Sequence, residues 1–178
     1  MRSARIGVIS DTHGLLRPEV LAAFEGADHI LHAGDIGDIQ VLRDLEKIAK
    51  VTAVAGNVDG FRCGKAGETA RVELGGVRFF LTHILDRPRR VRPEVARDLA
   101  RSPADVVVFG HSHLPHDETI DGVRYLNPAS AGPRRFDLPV SVAVLEVSGG
   151  KVRSARFVGL DGRSEAALGK RMNQLSAE

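Results

Sequence analysis

Five short segments carry side chains that bind metal ions: Asp11-Thr12-His13, Gly34-Asp35, Gly56-Asn57, Thr82-His83 and Gly110-His111-Ser112-His113. They offer carboxylate, imidazole and amide donors without a thiolate. That mixture suits manganese, iron or zinc better than a soft metal or an iron–sulfur cluster. Alternate residues of an extended segment point the same way, so Asp11 is expected to pair with His13, and His111 with His113, toward one cavity. Asp11, His13, Asp35, Asn57, His83, His111 and His113 are too many ligands for one ion. If one carboxylate bridges, they divide into two sites of four protein ligands each, with positions left open for water and substrate. A water shared by two cations loses its proton near neutral pH and becomes a nucleophile. A single Asp-x-His or His-x-His arises often by chance. The weight lies in five such pieces, each just past an apolar run, in a chain with seven histidines.

Those apolar runs are the elements that must position the ligands. Arg5 to Ser10, His29 to Gly34, Val51 to Gly56 and Ala104 to Gly110 read as buried strands. Helical patterns cover Pro18 to Glu25, Ile39 to Ala49 and Pro93 to Arg101. The first opens on proline and the second follows Asp38 as N-cap. Strand–helix alternation predicts parallel pairing under covering helices, and strand ends that meet at one edge are where such folds place ligands. Gly75-Gly76, Asp121-Gly122 and Gly149-Gly150 are two-residue turns. They join Thr69–Leu74 to Val77–Thr82, Glu118–Ile120 to Val123–Tyr125, and Ser141–Val147 to Lys151–Val158. The expected fold class is α/β, two packed mixed β-sheets flanked by helices. A single domain is expected over 1–163, followed by a loosely helical tail over 164–178.

The 178 residues suit one domain with a sizeable core, 43% of them hydrophobic and 27% charged. No apolar run approaches a membrane span. The N-terminal residues lack the apolar stretch and cleavage site of a signal peptide, and the lone Cys63 cannot form an internal disulfide. A cytoplasmic chain is therefore expected, with Cys63 a bystander thiol. Twenty arginines against five lysines suit phosphate. They are interspersed with acids rather than gathered in a stripe, which argues against nucleic acid as partner. The absence of a G-x-x-x-x-G-K-[ST] loop argues against an NTPase built on that motif.

The ordered set D-x-H, GD, GN, H and GHxH, carried by Asp11 and His13, Asp35, Asn57, His83, and His111 with His113, resembles the calcineurin-like metallophosphoesterases. The similarity is to their small single-domain bacterial and archaeal phosphodiesterase branch and covers about residues 5 to 158. It implies that Asp11, His13, Asp35 and His113 hold one ion and Asp35, Asn57, His83 and His111 a second, with Asp35 as bridge. Manganese is the implied metal, with iron, zinc, nickel and magnesium as alternatives. The implied activity is hydrolysis of a small phosphate ester, a phosphodiester first, by a hydroxide bridging the ions. Asp35, Asn57 and His83 are the implied catalytic residues. A phosphomonoesterase, a nuclease or a non-catalytic scaffold of the same fold are the alternatives, and self-association of the chain is compatible with all of them. Asn127-Pro128-Ala129-Ser130 is similar to the branch's N-P-G-S and is expected to close a loop near the metals.

Two departures stand out. Val58 occupies the place where many relatives carry a histidine that protonates the leaving group, which favours substrates with good leaving groups. After His83, where the branch often continues with Gly-His, this chain reads Ile84-Leu85-Asp86-Arg87-Pro88-Arg89-Arg90, so the substrate edge is expected to be rebuilt. His32 is a candidate to orient a ligand, and Asp59 either to support the site or to make a turn. Arg89, Arg90, Arg134 and Arg135 are candidates to grip phosphate, while His29 and His116 read as bystanders.

Overall fold

The computed structural model describes residues 3–63 and 66–175. Its elements are β1 (Ala4–Ile9), α1 (Pro18–Ala23), β2 (His29–His32), α2 (Ile39–Glu46), β3 (Lys50–Ala53), β4 (Thr69–Leu74), β5 (Val77–Thr82), β6 (Asp86–Arg87), β7 (Arg90–Val91), α3 (Pro93–Arg101), β8 (Val106–Val108), β9 (Pro115–Ile120), β10 (Val123–Pro128), β11 (Ser141–Ser148), β12 (Lys151–Gly159) and α4 (Gly162–Leu175). Two five-stranded mixed sheets result, ordered β12-β11-β1-β2-β3 and β4-β5-β8-β10-β9. Each has three parallel strands, β1, β2 and β3 in one and β5, β8 and β10 in the other, finished by antiparallel neighbours. This is the α/β sandwich expected from the sequence.

Alternation along the strands separates three apolar layers. Ile6, Val8, Leu31, Phe79, Leu81, Val106 and Val108 meet between the sheets. The opposite face of the first sheet packs Ile9 and Ile30 against Val20 and Phe24 of the α1 region and Leu42 and Leu45 of α2. Phe80 and Val107 face outward from the second sheet onto Val95 of α3. Fully burying each such side chain stabilises by roughly 1.5–3 kcal/mol, so the strands are held rigidly from both sides. The turns Gly75-Gly76, Asp121-Gly122 and Gly149-Gly150 each have both central residues at positive φ, as a turn matching the strand twist requires.

The differences from expectation lie at element ends. The first helix stops at Ala23 as the chain turns through Gly26 at φ 72°. The second stops at Glu46, where Lys47 and Ile48 donate only three residues back before β3 begins. Pro115–Asp117 and Leu126–Pro128 extend the second hairpin beyond its apolar portion because they pair with each other. The tail does form a helix, but its start is not loose. Ser164 is buried, and its Oγ accepts from Val140 N at 2.9 Å. The segment after His83 adds the short β6–β7 hairpin, a feature not anticipated.

Candidate metal centre

The six parallel strands end at one edge, and each chemistry-bearing segment follows one of those ends. Asp11 and His13 follow β1, Asp35 follows β2, Asn57 follows β3, His83 follows β5, and His111 with His113 follow β8. The edge is shared by two sheets rather than belonging to one. All seven side chains converge there in two groups.

In the first group, His113 Nε2 lies 3.1 Å from Asp11 Oδ1 and 3.4 Å from His13 Nε2, which is itself 3.7 Å from Asp35 Oδ2. In the second, Asn57 Oδ1 lies 3.2 Å from His83 Nε2 and 3.1 Å from His111 Nδ1, and His83 Nε2 is 3.4 Å from Asp35 Oδ1. Asp35 therefore turns one oxygen to each group.

The donor atoms fit cations. Asp11 and Asp35 are buried carboxylates, and buried charge requires a partner of opposite sign. Asp11 Oδ2 is engaged by Ser10 Oγ at 2.6 Å and His111 N at 3.1 Å, whereas its buried Oδ1 makes no hydrogen bond. Atoms of Asp11, His13 and His113, and of Asp11, Asp35 and His83, lie within 4.8 Å of one another. Imidazole nitrogens facing each other and a bare carboxylate oxygen are what ligands of a shared ion present.

Burial alone would raise the Asp35 carboxyl, but the hydrogen bond and charge of His83, the Val58 N–H and His13 together hold it at about 2. Burial likewise opposes protonation of His83, yet its hydrogen bond to Asp35 and the charge of Asp11 raise it above its ordinary value. A cation binding there must displace that proton, which couples metal affinity to pH. His13 is pushed down by burial, with Arg135 adding to the effect against the pull of Asp35.

Asp11 and His13 meet in one group as expected, though not by extended backbone, whereas His111 and His113 divide between the two groups. Asp11, His13, Asp35, His111 and His113 all adopt left-handed φ, between 47° and 68°. Such residues cost about 1–3 kcal/mol each and persist only where surroundings over-determine them. Here Asp11 N donates to Gly34 O and His13 N to Asp35 O, both at 2.9 Å, and Ser130 Oγ donates to Asp11 O at 2.9 Å. The glycines before the ligands are there for room. A Cβ at Gly56 would lie 2.1 Å from Asp35 Oδ1, and one at Gly110 2.1 Å from Ser10 Oγ.

His32 is wholly buried and touches the ligands' frame rather than the ligands. Gly34 N donates to its Nδ1 at 3.2 Å, and its Nε2 faces Thr12 Oγ1 at 3.0 Å, which donates onward to Ile36 O at 2.9 Å. That chain of donors requires neutral imidazole with the proton on Nε2. Burial drives its pKa down to about 4. Asp59 also supports the site: its carboxylate accepts from Gly37 N at 2.8 Å and Gly56 N at 2.7 Å, tying the Asp35 loop to the Asn57 loop. Cys63 donates its thiol to Asp59 at 3.2 Å, and burial with that contact raises it to about 11, so it is inert at neutral pH.

The remaining candidates separate. Arg89 pairs with Glu118, and Arg134 is engaged by Leu138 O, Asp161 and Ser164, so both serve the frame. Arg90 lies on β7, outside the cluster. Arg135 reaches the site, its Nη2 3.4 Å from His13 Nε2. His29 contacts Thr52 at 2.8 Å and His116 pairs with Glu118 at 3.4 Å, away from the cluster. Asn127 and Ser130 close the loop as expected, the amide of Asn127 donating to Gly110 O at 2.9 Å behind the His111 loop and Ser130 Oγ to Asp11 O; Ser10, which orients Asp11, carries no signal in the sequence. A cavity of about 690 Å³ opens beside the second group, lined by Asn57, His83, Ile84, Glu68, Arg92 and Val95. Among the described residues no helix is long and apolar enough to cross a membrane.

Comparison with known proteins agrees with this geometry. Residues 4–150 match the model of the calcineurin-like phosphoesterase superfamily domain. A probable metallophosphoesterase of Methanothermobacter thermautotrophicus is 36% identical over 152 residues, covering 83% of this chain and 88% of that one. A phosphodiesterase of Methanocaldococcus jannaschii is 29% identical over 143 residues, 70% of this chain and 82% of that protein. A crystal structure of a predicted phosphoesterase from Streptococcus pneumoniae superposes with a TM-score of 0.70 at 25% identity, covering 90% of this chain and 92% of that one.

Proposed function

We propose that this chain, which belongs to the calcineurin-like phosphoesterase superfamily, is a phosphodiesterase that works with two divalent metal ions. The observation that carries the reading is Asp35, whose two oxygens face two separate sets of imidazole and oxygen donors. Asp11, His13, His113 and Asp35 would hold one ion, and Asp35, Asn57, His83 and His111 the other. Four imidazoles among seven ligands favour manganese over magnesium. When bound, such a pair supplies Lewis-acid charge toward phosphoryl oxygens and lowers the pKa of water.

The chain's own part is geometric. Asp35 stays ionised throughout the neutral range because its pKa is about 2. Ser10 leaves Asp11 only its Oδ1 to offer inward. The hydroxyls of Ser10, Thr12 and Ser130 donate to Asp11 Oδ2, Ile36 O and Asp11 O, so none is poised as a nucleophile and water fills that role. The cavity beside Asn57 and His83 gives one alcohol portion of a diester a place to sit. Its relative in Methanocaldococcus jannaschii, named as a phosphodiesterase, supports a diester as substrate.

The test is hydrolysis of an aryl phosphodiester by the manganese-loaded protein. Asp35→Asn should lower kcat/KM roughly a thousandfold, the loss of several kcal/mol of charge stabilisation, with circular dichroism unchanged. Near-wild-type turnover by a folded Asp35→Asn protein would overturn the reading.

A further inference from the structure

The loop after β10 carries adjacent arginines with different fates. Arg17 bonds Gly132 O through Nε at 3.3 Å and Nη2 at 3.1 Å, and Arg134 bonds Leu138 O at 2.8 Å together with Asp161 and Ser164. Both therefore hold the loop in place. Two acids of this region are also taken, Asp161 by Arg134 and Asp137 by Arg163. The turn closes with Leu138 N on Arg135 O at 3.2 Å, over Phe136 in left-handed backbone at φ 52°.

Arg135 stands out against that frame. Its guanidinium is exposed, and among the described residues its one hydrogen-bond partner is His13 Nε2 at 3.4 Å. That nitrogen also faces His113 Nε2 and Asp35 Oδ2. A lone pair offered to a metal cannot also accept from an arginine. Once the first ion is held, guanidinium and cation stand side by side with the nearby carboxylates already committed. Their repulsion is relieved by an anion that reaches both, and a phosphoryl oxygen matches the guanidinium's paired donors.

We propose that Arg135 is the phosphate-gripping residue of this site, taking a non-bridging oxygen of the substrate phosphoryl group on the side of Asp11, His13 and His113. The assignment rests on the metal-dependent phosphoesterase reading for the presence of the ion. It places the phosphoryl group between Arg135 and Asp35, with the cavity beside Asn57 and His83 receiving one ester arm. The turn held by Arg17 and Arg134 fixes the backbone from which Arg135 reaches, so the side chain is what must order when substrate arrives.

Calorimetric titration of the manganese-loaded full chain with inorganic phosphate reads this contact without turnover. Arg135→Ala should weaken phosphate binding ~10- to 100-fold, the worth of a charge-assisted hydrogen bond, with manganese content unchanged. Arg135→Lys should recover part of the loss, and Arg90→Ala should leave phosphate affinity at the wild-type value. Equal phosphate affinity in wild type and Arg135→Ala would overturn the assignment, as would failure of the wild type to bind phosphate. Loss of manganese in parallel with phosphate would also overturn it, making Arg135 a prop for His13. Weakened phosphate binding in a protein that hydrolyses no ester would sustain Arg135 and count against the proposed activity instead.

Discussion

Val58 is 51% exposed, and its backbone N–H donates to Asp35 Oδ1 at 3.1 Å, so the main chain serves the site while the side chain offers it no proton. His32 and Asp59, the candidates for supporting the site, are not placed to supply one either. His32 is sealed in the frame with its Nε2 proton on Thr12, and the Asp59 carboxylate accepts from Gly37 and Gly56 while barely touching solvent. In the proposed reaction we therefore expect the leaving oxygen to depart without general-acid help, typically worth 10²- to 10⁴-fold. Plotting log(kcat/KM) against leaving-group pKa for substituted aryl diesters should give a steep fall for wild type and a shallower one for Val58→His. A flat wild-type line, with chemistry limiting, would mean that another group already donates the proton.

The loops that end the parallel strands act as one unit because buried side chains lace them together. His32, on β2, links Gly34 to Thr12, and so couples the loop carrying Asp35 to the loop carrying Asp11 and His13. This coupling has a pH signature. Unfolded, His32 takes a proton near 6.5; folded, burial postpones that to about 4. Its contribution is therefore complete above pH 6.5 and lost progressively as pH falls toward 4, since the unfolded chain binds the extra proton. Between pH 7 and pH 5 the metal-free wild type should lose about 2 kcal/mol more unfolding free energy than His32→Gln. Identical losses in denaturant titrations would contradict the neutral, buried assignment. The elements themselves were largely legible in the sequence, because apolar runs, proline starts and two-residue turns are local signals that tertiary packing here reinforces. Asp11 and His13 meet although both are left-handed rather than extended, because their backbone N–H groups are held by Gly34 O and Asp35 O. What sequence could not separate was Arg134 from Arg135. The two are identical neighbours, and their roles are set by Asp161, Ser164 and His13, which only the fold brings near.

Across the whole molecule, two sheets with matching parallel cores contribute opposite walls of one site: β1, β2 and β3 bring Asp11, His13, Asp35 and Asn57, and β5 and β8 bring the other three histidines. Neither sheet holds a complete set of the proposed ligands, and Asp35 is the side chain that faces both groups. Ions that bind only this assembled edge should stabilise the folded chain by mass action as well as enabling chemistry. The left-handed conformations of Asp11, His13, Asp35, His111 and His113, costing about 1–3 kcal/mol each, are offset by the packing of the two sheets that hold them. If the proposed hydrolysis requires two ions per chain, stripping the protein with chelator and returning Mn²⁺ in known equivalents should restore diesterase activity in step with the ions. No activity is expected at zero, and the rise should be complete at two equivalents and not be matched by Mg²⁺ at the same low concentrations. Full activity in the stripped protein, or saturation at a single equivalent, would contradict that requirement.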